Sequence, residues 1–301
     1  MSKIIRFLDR RGIYTNVSKS MYETVMDNLP SDSYIYENSV YNKSTNKWDY
    51  NISDKYFDIT FFSDIHHRHG MFVCHGIADK KYRDANLMAL FDYVCVPGLL
   101  WEEKLISQGL NKNKIKILGY PKMDKLFTKN RVIHNDGKIH VLYAPTHNTK
   151  PNNMQSTSSY PRLLNEIDKL KDDRIEIKHS FHPANAKQEI TMDLLLWADV
   201  VISDSGSLVY ESWALDIPVI FPDWLVKQNI FNYGSQTFES HIYRENIGYH
   251  ANNIGEMKQM ILKAYDEGLD KKTTHFIDGI FSKSLRGCSG KAIADEILKR
   301  I

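Results

Sequence analysis

The run "ADVVISDSGSLVYESWALDIPVIF", Ala198 to Phe221, constrains this chain more than any other stretch. Its opening "VVIS" has the length and β-branched content of a buried strand. Four small polar residues follow, Asp204-Ser205-Gly206-Ser207, and a helical pattern starts there. A second apolar run, "IPVIF", closes the unit. Strand, small-residue turn, helix and strand make a parallel crossover unit. Such a turn offers backbone N–H groups and the positive end of the helix dipole to an anion, and a diphosphate is the natural guest. Glu211 sits one turn into the helix, where a carboxylate can accept hydrogen bonds from both hydroxyls of a ribose. The same residues also suit a plain helix cap, with Asp204 and Ser205 as capping side chains.

The rest of the chain repeats this alternation. "KIIRFL", "SYIYEN", "DITFF", "MFVCHG", "YVCVPG" and "KIKILGYP" read as strands. "SKSMYETVMDNLP" and "GLLWEEKLISQGL" read as helices. The turn Asn135-Asp136-Gly137 then precedes a buried strand, "KIHVLYAP", and sets the expected boundary between residues 1–135 and 136–301. Beyond it, "RIEIKHSFHP", "VVISD" and "IPVIFP" are strands. "YPRLLNEIDKLKDD", "MDLLLWAD", "GSLVYESWALD", "NIGEMKQMILKAYDEG" and "SGKAIADEILKRI" are helices. "THNTKPNNMQSTSSYPR" is a long polar loop of the kind found near ligands. Alternating strands and helices imply two doubly wound α/β domains, and 301 residues with 42% hydrophobic content suffice for two cores. Ligands of such sheets bind at the carboxyl ends of strands, so two facing domains would share a cleft. The last helix is free to pack back on the first domain.

Bulk properties exclude several classes. A net charge of +2 imposes no strong global field. Three scattered cysteines are no disulfide framework and fit a reducing compartment. The basic N-terminus lacks a long apolar run, and no window reaches the ~18 apolar residues of a membrane span. A soluble, cytoplasmic protein without an integral membrane segment is the expectation.

Further polar clusters each follow an apolar strand: "VCHG" with His75, "GYPKMDKLF" with Lys122, "VLYAPTHN" with Thr146 and His147, and "HSFHP" with His182. From about Met71 onward, these segments, "FDYVCVPG", "SDSGSLVYES" and the tail "IDGIFSKSLRGCSGKAIADEIL" together resemble the CDP-glycerol glycerophosphotransferase family of teichoic-acid polymerases and primases. That family has the GT-B glycosyltransferase fold, two Rossmann-like domains facing across a cleft. The resemblance implies an N-terminal acceptor-side domain and a C-terminal domain binding the nucleotide donor. By the same resemblance His75 matches the general base, His182 a histidine near the donor phosphates, and Ser205, Gly206 and Ser207 the diphosphate turn. The chain departs from the family pattern at Cys74, where Trp is usual, at Lys122 for Arg, at Gly206 for Ser and at Glu211 for Asp. A glutamate at 211 is commoner in sugar-nucleotide enzymes of this fold, so a nucleotide sugar stands beside CDP-glycerol as the donor.

Four histidines crowd the stretch "SDIHHRHGMFVCHG". His66, His67 and His69 make a poor metal site: neighbours on a strand point to opposite faces, Arg68 adds positive charge, and no cysteine or carboxylate pair follows at ligand spacing. No Asp-x-Asp occurs anywhere, so no metal is expected in the reaction, and no cofactor beyond the donor itself. Lys122, His147 and His182 supply the cations that a leaving diphosphate needs. His75 ends a strand before Gly76, where a neutral imidazole can take a proton from an acceptor hydroxyl. The expected activity is metal-independent transfer of a glycosyl or glycerol-phosphate group to a hydroxyl on a cell-surface polymer or lipid-linked glycan. One alternative is glycosylation of hydroxymethylated bases in DNA, with Arg6, Arg10, Arg11, His66, His67 and Arg68 facing phosphates. Others are a non-hydrolysing sugar-nucleotide 2-epimerase and a non-catalytic binding protein.

Overall fold

The computed structural model describes residues 3–10, 15–42, 47–49, 53–60, 70–74, 76–79, 85–148, 156–182 and 192–301. The chain divides into two compact units: Met1–Gly76, Arg83–Thr128 and Asp278–Ile301 form the first, and Ile77–Tyr82 with Lys129–Ile277 the second.

Among the described residues, unit 1 carries seven strands: β1 (Ile4–Arg10), β2 (Tyr34–Asn42), β3 (Lys47–Asp49), β4 (Tyr56–Thr60), β5 (Met71–Val73), β6 (Tyr93–Val96) and β7 (Ile115–Ile117). They run in the order β3-β2-β1-β4-β5-β6-β7, parallel except for β3, which pairs antiparallel with β2. Ile5, Phe7, Ile59, Met71 and Val94 are buried in this sheet. Arg6 lies between Ile5 and Phe7 and is buried as well. Its guanidinium binds Asp58 through two bonds, of 2.7 and 3.0 Å, reaches Glu37 at 3.1 Å and stacks on the Tyr56 ring. Arg6 is therefore an internal ion pair rather than part of a basic surface, because a buried cation must be matched by local carboxylates. Arg11, His66, His67, His69 and Arg68 lie outside the described residues.

The end of the chain belongs to unit 1. The helix Ser289–Leu298 packs on the helix Thr15–Met26 so closely that a Cβ on Gly290 would stand 2.3 Å from the Thr24 carbonyl oxygen. Asp124 caps the later helix, accepting from the Ser289 and Gly290 amides at 3.1 and 2.6 Å. The Ser289 hydroxyl accepts from the Tyr120 amide at 2.9 Å. Gly119 has φ +88°, and a Cβ there would meet that hydroxyl at 2.2 Å. The motifs "GYPKMD" and "CSGK" are thus two halves of one contact.

Unit 2 carries β8 (Ile139–Tyr143), β9 (Ile175–His179), β10 (Val200–Ile202), β11 (Val219–Pro222) and β12 (Tyr249–Ala251), all parallel, in the order β12-β11-β10-β8-β9. Val141, Tyr143, Val200, Ile202 and Ile220 join Leu163, Ile167 and Leu170, and Met257 and Ile261 from the helix Ile254–Glu267, in one core. Two details differ from the sequence reading. "YPRLLNEIDKLKDD" forms two short 3₁₀ turns, Arg162–Asn165 and Ile167–Leu170, because Glu166 leaves helical geometry at φ −121°. The connecting segment joins unit 2 at Lys129, ahead of the Asn135-Asp136-Gly137 turn: the Val132 amide donates to Leu196 at 2.9 Å and His134 bonds the Trp197 carbonyl. Among the described residues, no helix is long and apolar enough to cross a membrane.

Candidate functional site

In unit 2 the chain runs from β8 to β9 on one side and from β9 to β10 on the other side of β8. The crevice beyond the carboxyl ends of β8 and β10 is the switch point where open α/β sheets hold ligands. Thr146 follows β8, Asp204 to Ser207 follow β10, and His182 follows β9.

Asp204 organises this end of the sheet. It is 1% exposed. One carboxylate oxygen accepts from the amides of Thr146 at 2.9 Å and Ser205 at 2.7 Å. The other accepts from the Ser159 amide at 2.8 Å and the Ser159 hydroxyl at 2.9 Å. Its backbone carbonyl accepts from the Tyr243 hydroxyl at 2.9 Å. Four donors on one buried carboxylate fix the turn after β10 to the loop after β8. The sequence offered Asp204 and Ser205 as helix caps; the structure uses them otherwise. The helix Ser207–Ala214 begins at Gly206 with no side-chain cap.

The expected ligand residues separate into two groups. Ser205 is buried, with its hydroxyl on the Thr157 carbonyl, so it braces the turn. Thr146 is also buried, and its carbonyl accepts from the Ser158 hydroxyl at 2.7 Å. Gly206 lies against Thr146: an added Cβ would sit 3.3 Å from the threonine side chain. Ser207, by contrast, is half-buried, and its oxygen accepts from the amides of Ile77 and Ala78 at 3.0 and 3.3 Å. With both acceptor positions taken, its own proton is left to donate. Glu211 is 1% exposed, one turn along the helix. His147 and His182, expected on separate loops, come together with ring centroids 4.9 Å apart. Lys122 is half-buried on the turn Pro121–Met123 of unit 1. His75 lies outside the described residues, between Gly76 and the buried Cys74.

Sequence reasoning missed Ser159, Tyr243 and Arg162. Arg162 donates to the Ser156 and Ser158 carbonyls at 3.3 and 2.9 Å, and burial lowers its pKa against the pull of Asp204. The stretch Ser156-Thr157-Ser158-Ser159 before Tyr160 carries no pattern that would have marked Ser159 or Arg162.

Solved structures share this architecture. The wall teichoic acid polymerase TagF, in a form soaked with CDPG, matches with a TM-score of 0.66 at 15% identity, covering 99% of this chain and 89% of that chain. MnaA of S. aureus with UDP matches with a TM-score of 0.54 at 12% identity, covering 100% of this chain and 97% of that one. The UDP-GlcNAc 2-epimerase of Methanocaldococcus jannaschii, in complex with UDP-GlcNAc and UDP, gives 0.54 at 13% identity, with 100% of both chains covered. The fold is GT-B. No protein-family model matches the chain, and no curated protein matches it. At such identities the likeness carries the GT-B fold alone.

Proposed function

We propose that the chain is a GT-B transferase that moves a glycosyl or glycerol-phosphate group from a nucleoside-diphosphate-activated donor to an acceptor hydroxyl. The observation that carries this reading is the start of the helix Ser207–Ala214. It has no side-chain cap, stands at the switch point of unit 2, and holds the Ser207 hydroxyl as a ready donor. An anion seated there meets first-turn amides, the helix dipole and that hydroxyl. The donor diphosphate sits on Gly206 and Ser207, with Ser205 and Thr146 bracing the turn. Glu211 takes the ribose hydroxyls. His147 and His182, paired at 4.9 Å, stabilise the leaving phosphate. His75 removes the acceptor proton. With a nucleotide sugar, the acceptor oxygen bonds the anomeric carbon and the nucleoside diphosphate leaves. With CDP-glycerol, it bonds phosphorus and CMP leaves. The acceptor is a hydroxyl of a polymer or lipid-linked glycan, and the cytoplasm is where such donors are met.

Likeness in fold to UDP-GlcNAc 2-epimerases along the whole chain favours one second reading, epimerisation of a nucleotide sugar. Epimerisation calls for further carboxylates near the sugar, and buried Asp79 and Glu239 are engaged in structural bonds. Asp79 accepts from the Phe238 amide at 3.1 Å, and Glu239 accepts from the Asp79 amide and the Tyr210 hydroxyl at 2.8 and 2.7 Å. A donor screen with intact-mass readout separates the cases. CDP-glycerol and UDP-sugars are supplied with polymer, lipid-linked and hydroxymethylated duplex-DNA acceptors, and without acceptor. A transferase adds mass to one acceptor class, and His75→Ala slows that addition ~10²–10⁴-fold with donor affinity kept. Acceptor-independent conversion of the sugar, with solvent deuterium incorporated, overturns the transferase.

A further inference from the structure

A second cluster lies at the other end of the unit 2 sheet, where the strands begin. His140 is the second residue of β8, Glu176 the second of β9, and Asp199 directly precedes β10. His140 is 2% exposed, and its backbone amide donates to Asp199 Oδ2 at 2.9 Å. Its ring Nδ1 stands 3.1 Å from the same oxygen, and Nε2 stands 3.2 Å from Asp136 Oδ2. His134 stacks on it with centroids 3.4 Å apart, and its Nε2 is 2.8 Å from the Trp197 carbonyl oxygen.

These partners assign the protons. A carbonyl only accepts, so His134 Nε2 carries its proton and Nδ1 a lone pair. Ionised Asp136 and Asp199 each only accept, and an imidazole with one proton can serve only one of them; here that proton is placed on Nε2, toward Asp136. That leaves His140 Nδ1 and Asp199 Oδ2 facing each other at 3.1 Å, and two lone pairs at this distance need a cation between them. A proton can fill that role. So can a metal: bonds of ~2.0–2.1 Å in a tetrahedral site give ligand–ligand edges of about 3.3 Å. The ligand atoms of His134, His140 and Asp199 lie within 4.8 Å of one another. The Trp197 carbonyl and Asp136 then act as the outer partners that orient metal-bound histidines. Asp136, His140 and Glu176 form an overlapping set, but Glu176 already leans on Lys138 and Lys178 at 3.9 and 4.0 Å. Arg131, at 3.8 Å from Asp199, approaches the other carboxylate oxygen.

We infer that His134, His140 and Asp199 form a binding site for a divalent transition cation of the zinc, cobalt or nickel class, which imidazole with carboxylate selects over magnesium or calcium. The bound ion ties the segment entering unit 2 to β8 and to the start of β10. It is a structural site: three strand steps, roughly 10 Å at ~3.3 Å per residue, separate His140 from Tyr143, and the donor turn lies beyond that end of β8. Binding tilts the two rings toward a common point and opens their stack.

The test uses the full chain after chelator treatment, titrated with Zn²⁺ by calorimetry and with Co²⁺ by visible absorption. One equivalent should bind in the micromolar range or tighter, raise the thermal midpoint and, for cobalt, give intense tetrahedral bands. His134→Ala and Asp199→Asn should each abolish the bands, and Asp136→Asn should weaken binding about 10–100-fold. His134 is only half-buried, so its variant remains folded if His140→Asn does not. Absence of saturable micromolar binding overturns the site. So does binding that survives His134→Ala but is lost when His66, His67 and His69 are replaced together.

Discussion

At the scale of single residues, Asp204 shows what spacing reveals and what it hides. Its place after a buried strand and before a helix is plain in "VVISDSGS", and so is the turn it begins. Its partners are not, because Ser159 and Thr146 stand 45 and 58 residues away. Asp204→Ala would leave three buried backbone amides without an acceptor, while the Ser159 hydroxyl can turn to Tyr143 at 3.1 Å. Each stranded donor costs about 1–3 kcal/mol, so the three together cost at least about 3 kcal/mol. Urea denaturation should show a loss of that size, with Asp204→Asn losing less because one amide oxygen still accepts. A wild-type midpoint in the alanine variant would mean that the loops hold themselves together. His179 carries a different signal. Burial depresses its pKa below the ordinary 6.5, with Lys171 adding to the shift. The unfolded chain therefore binds a proton first as pH falls. The contribution of this group is intact above about pH 6.5 and is lost as pH drops through the lower folded value. His179→Phe keeps the ring against Phe181 and Tyr143 and removes the ionisation. Its denaturation midpoint should fall less than that of the wild type between pH 7 and pH 5; parallel decline of the two would assign the acid sensitivity elsewhere.

At the scale of elements, strand–helix alternation was readable because each parallel strand is a short apolar run between turn residues. β8 is buried at all five positions, as "IHVLY" suggests. β3 and β12 were not readable: Lys47-Trp48-Asp49 and Tyr249-His250-Ala251 lack the unbroken apolar run that marks the equally short β5 and β10. Nor were the helices Asp223–Tyr233 and Phe238–Glu245, whose mixed sequence hides the buried face. The two 3₁₀ turns replacing one expected helix have the same cause, since Leu163, Ile167 and Leu170 satisfy either geometry. The places of Ser207 and Glu211 on the helix after β10 were legible from their offset to the strand, whereas the meeting of His147 with His182 depended on β8 and β9 being neighbours. Glycines separate local from tertiary demand. Gly109 and Gly119 both have positive φ, +92° and +88°, but only Gly119 has a neighbour in the way. Gly109→Ala should cost about 1–2 kcal/mol for the left-handed backbone alone. Gly119→Ala should add an overpacking cost of about 1–3 kcal/mol as Ser289 is pushed aside. Equal losses in chemical denaturation would show that the contact with Ser289 relaxes freely.

For the whole molecule, the order of elements along the chain differs from their order in space. Unit 1 is built from three stretches, and its last, Asp278–Ile301, follows nearly 150 residues devoted to unit 2. No pattern within "SGKAIADEILKRI" announces this; the apolar stripe says only that a face is buried, and either unit could have buried it. The contact that decides it needs Gly119, Asp124 and Gly290 together, residues no periodicity connects. This topology makes unit 1 dependent on the end of the chain. Ile293, Ala294 and Ile297 are fully buried, and each isoleucine contributes about 1.5–3 kcal/mol by burial. Removing residues 289–301 also strips Asp124 of its two amide donors and uncovers the helix Thr15–Met26. The sum approaches the ~5–15 kcal/mol that holds a domain folded. Hydrogen exchange on the shortened chain should therefore show lost protection in β1, β4 and β5 with protection kept in β8 and β10. If both sheets lose protection together, the two units fold as one cooperative body. If neither does, the C-terminal helix is an ornament on a self-sufficient sheet.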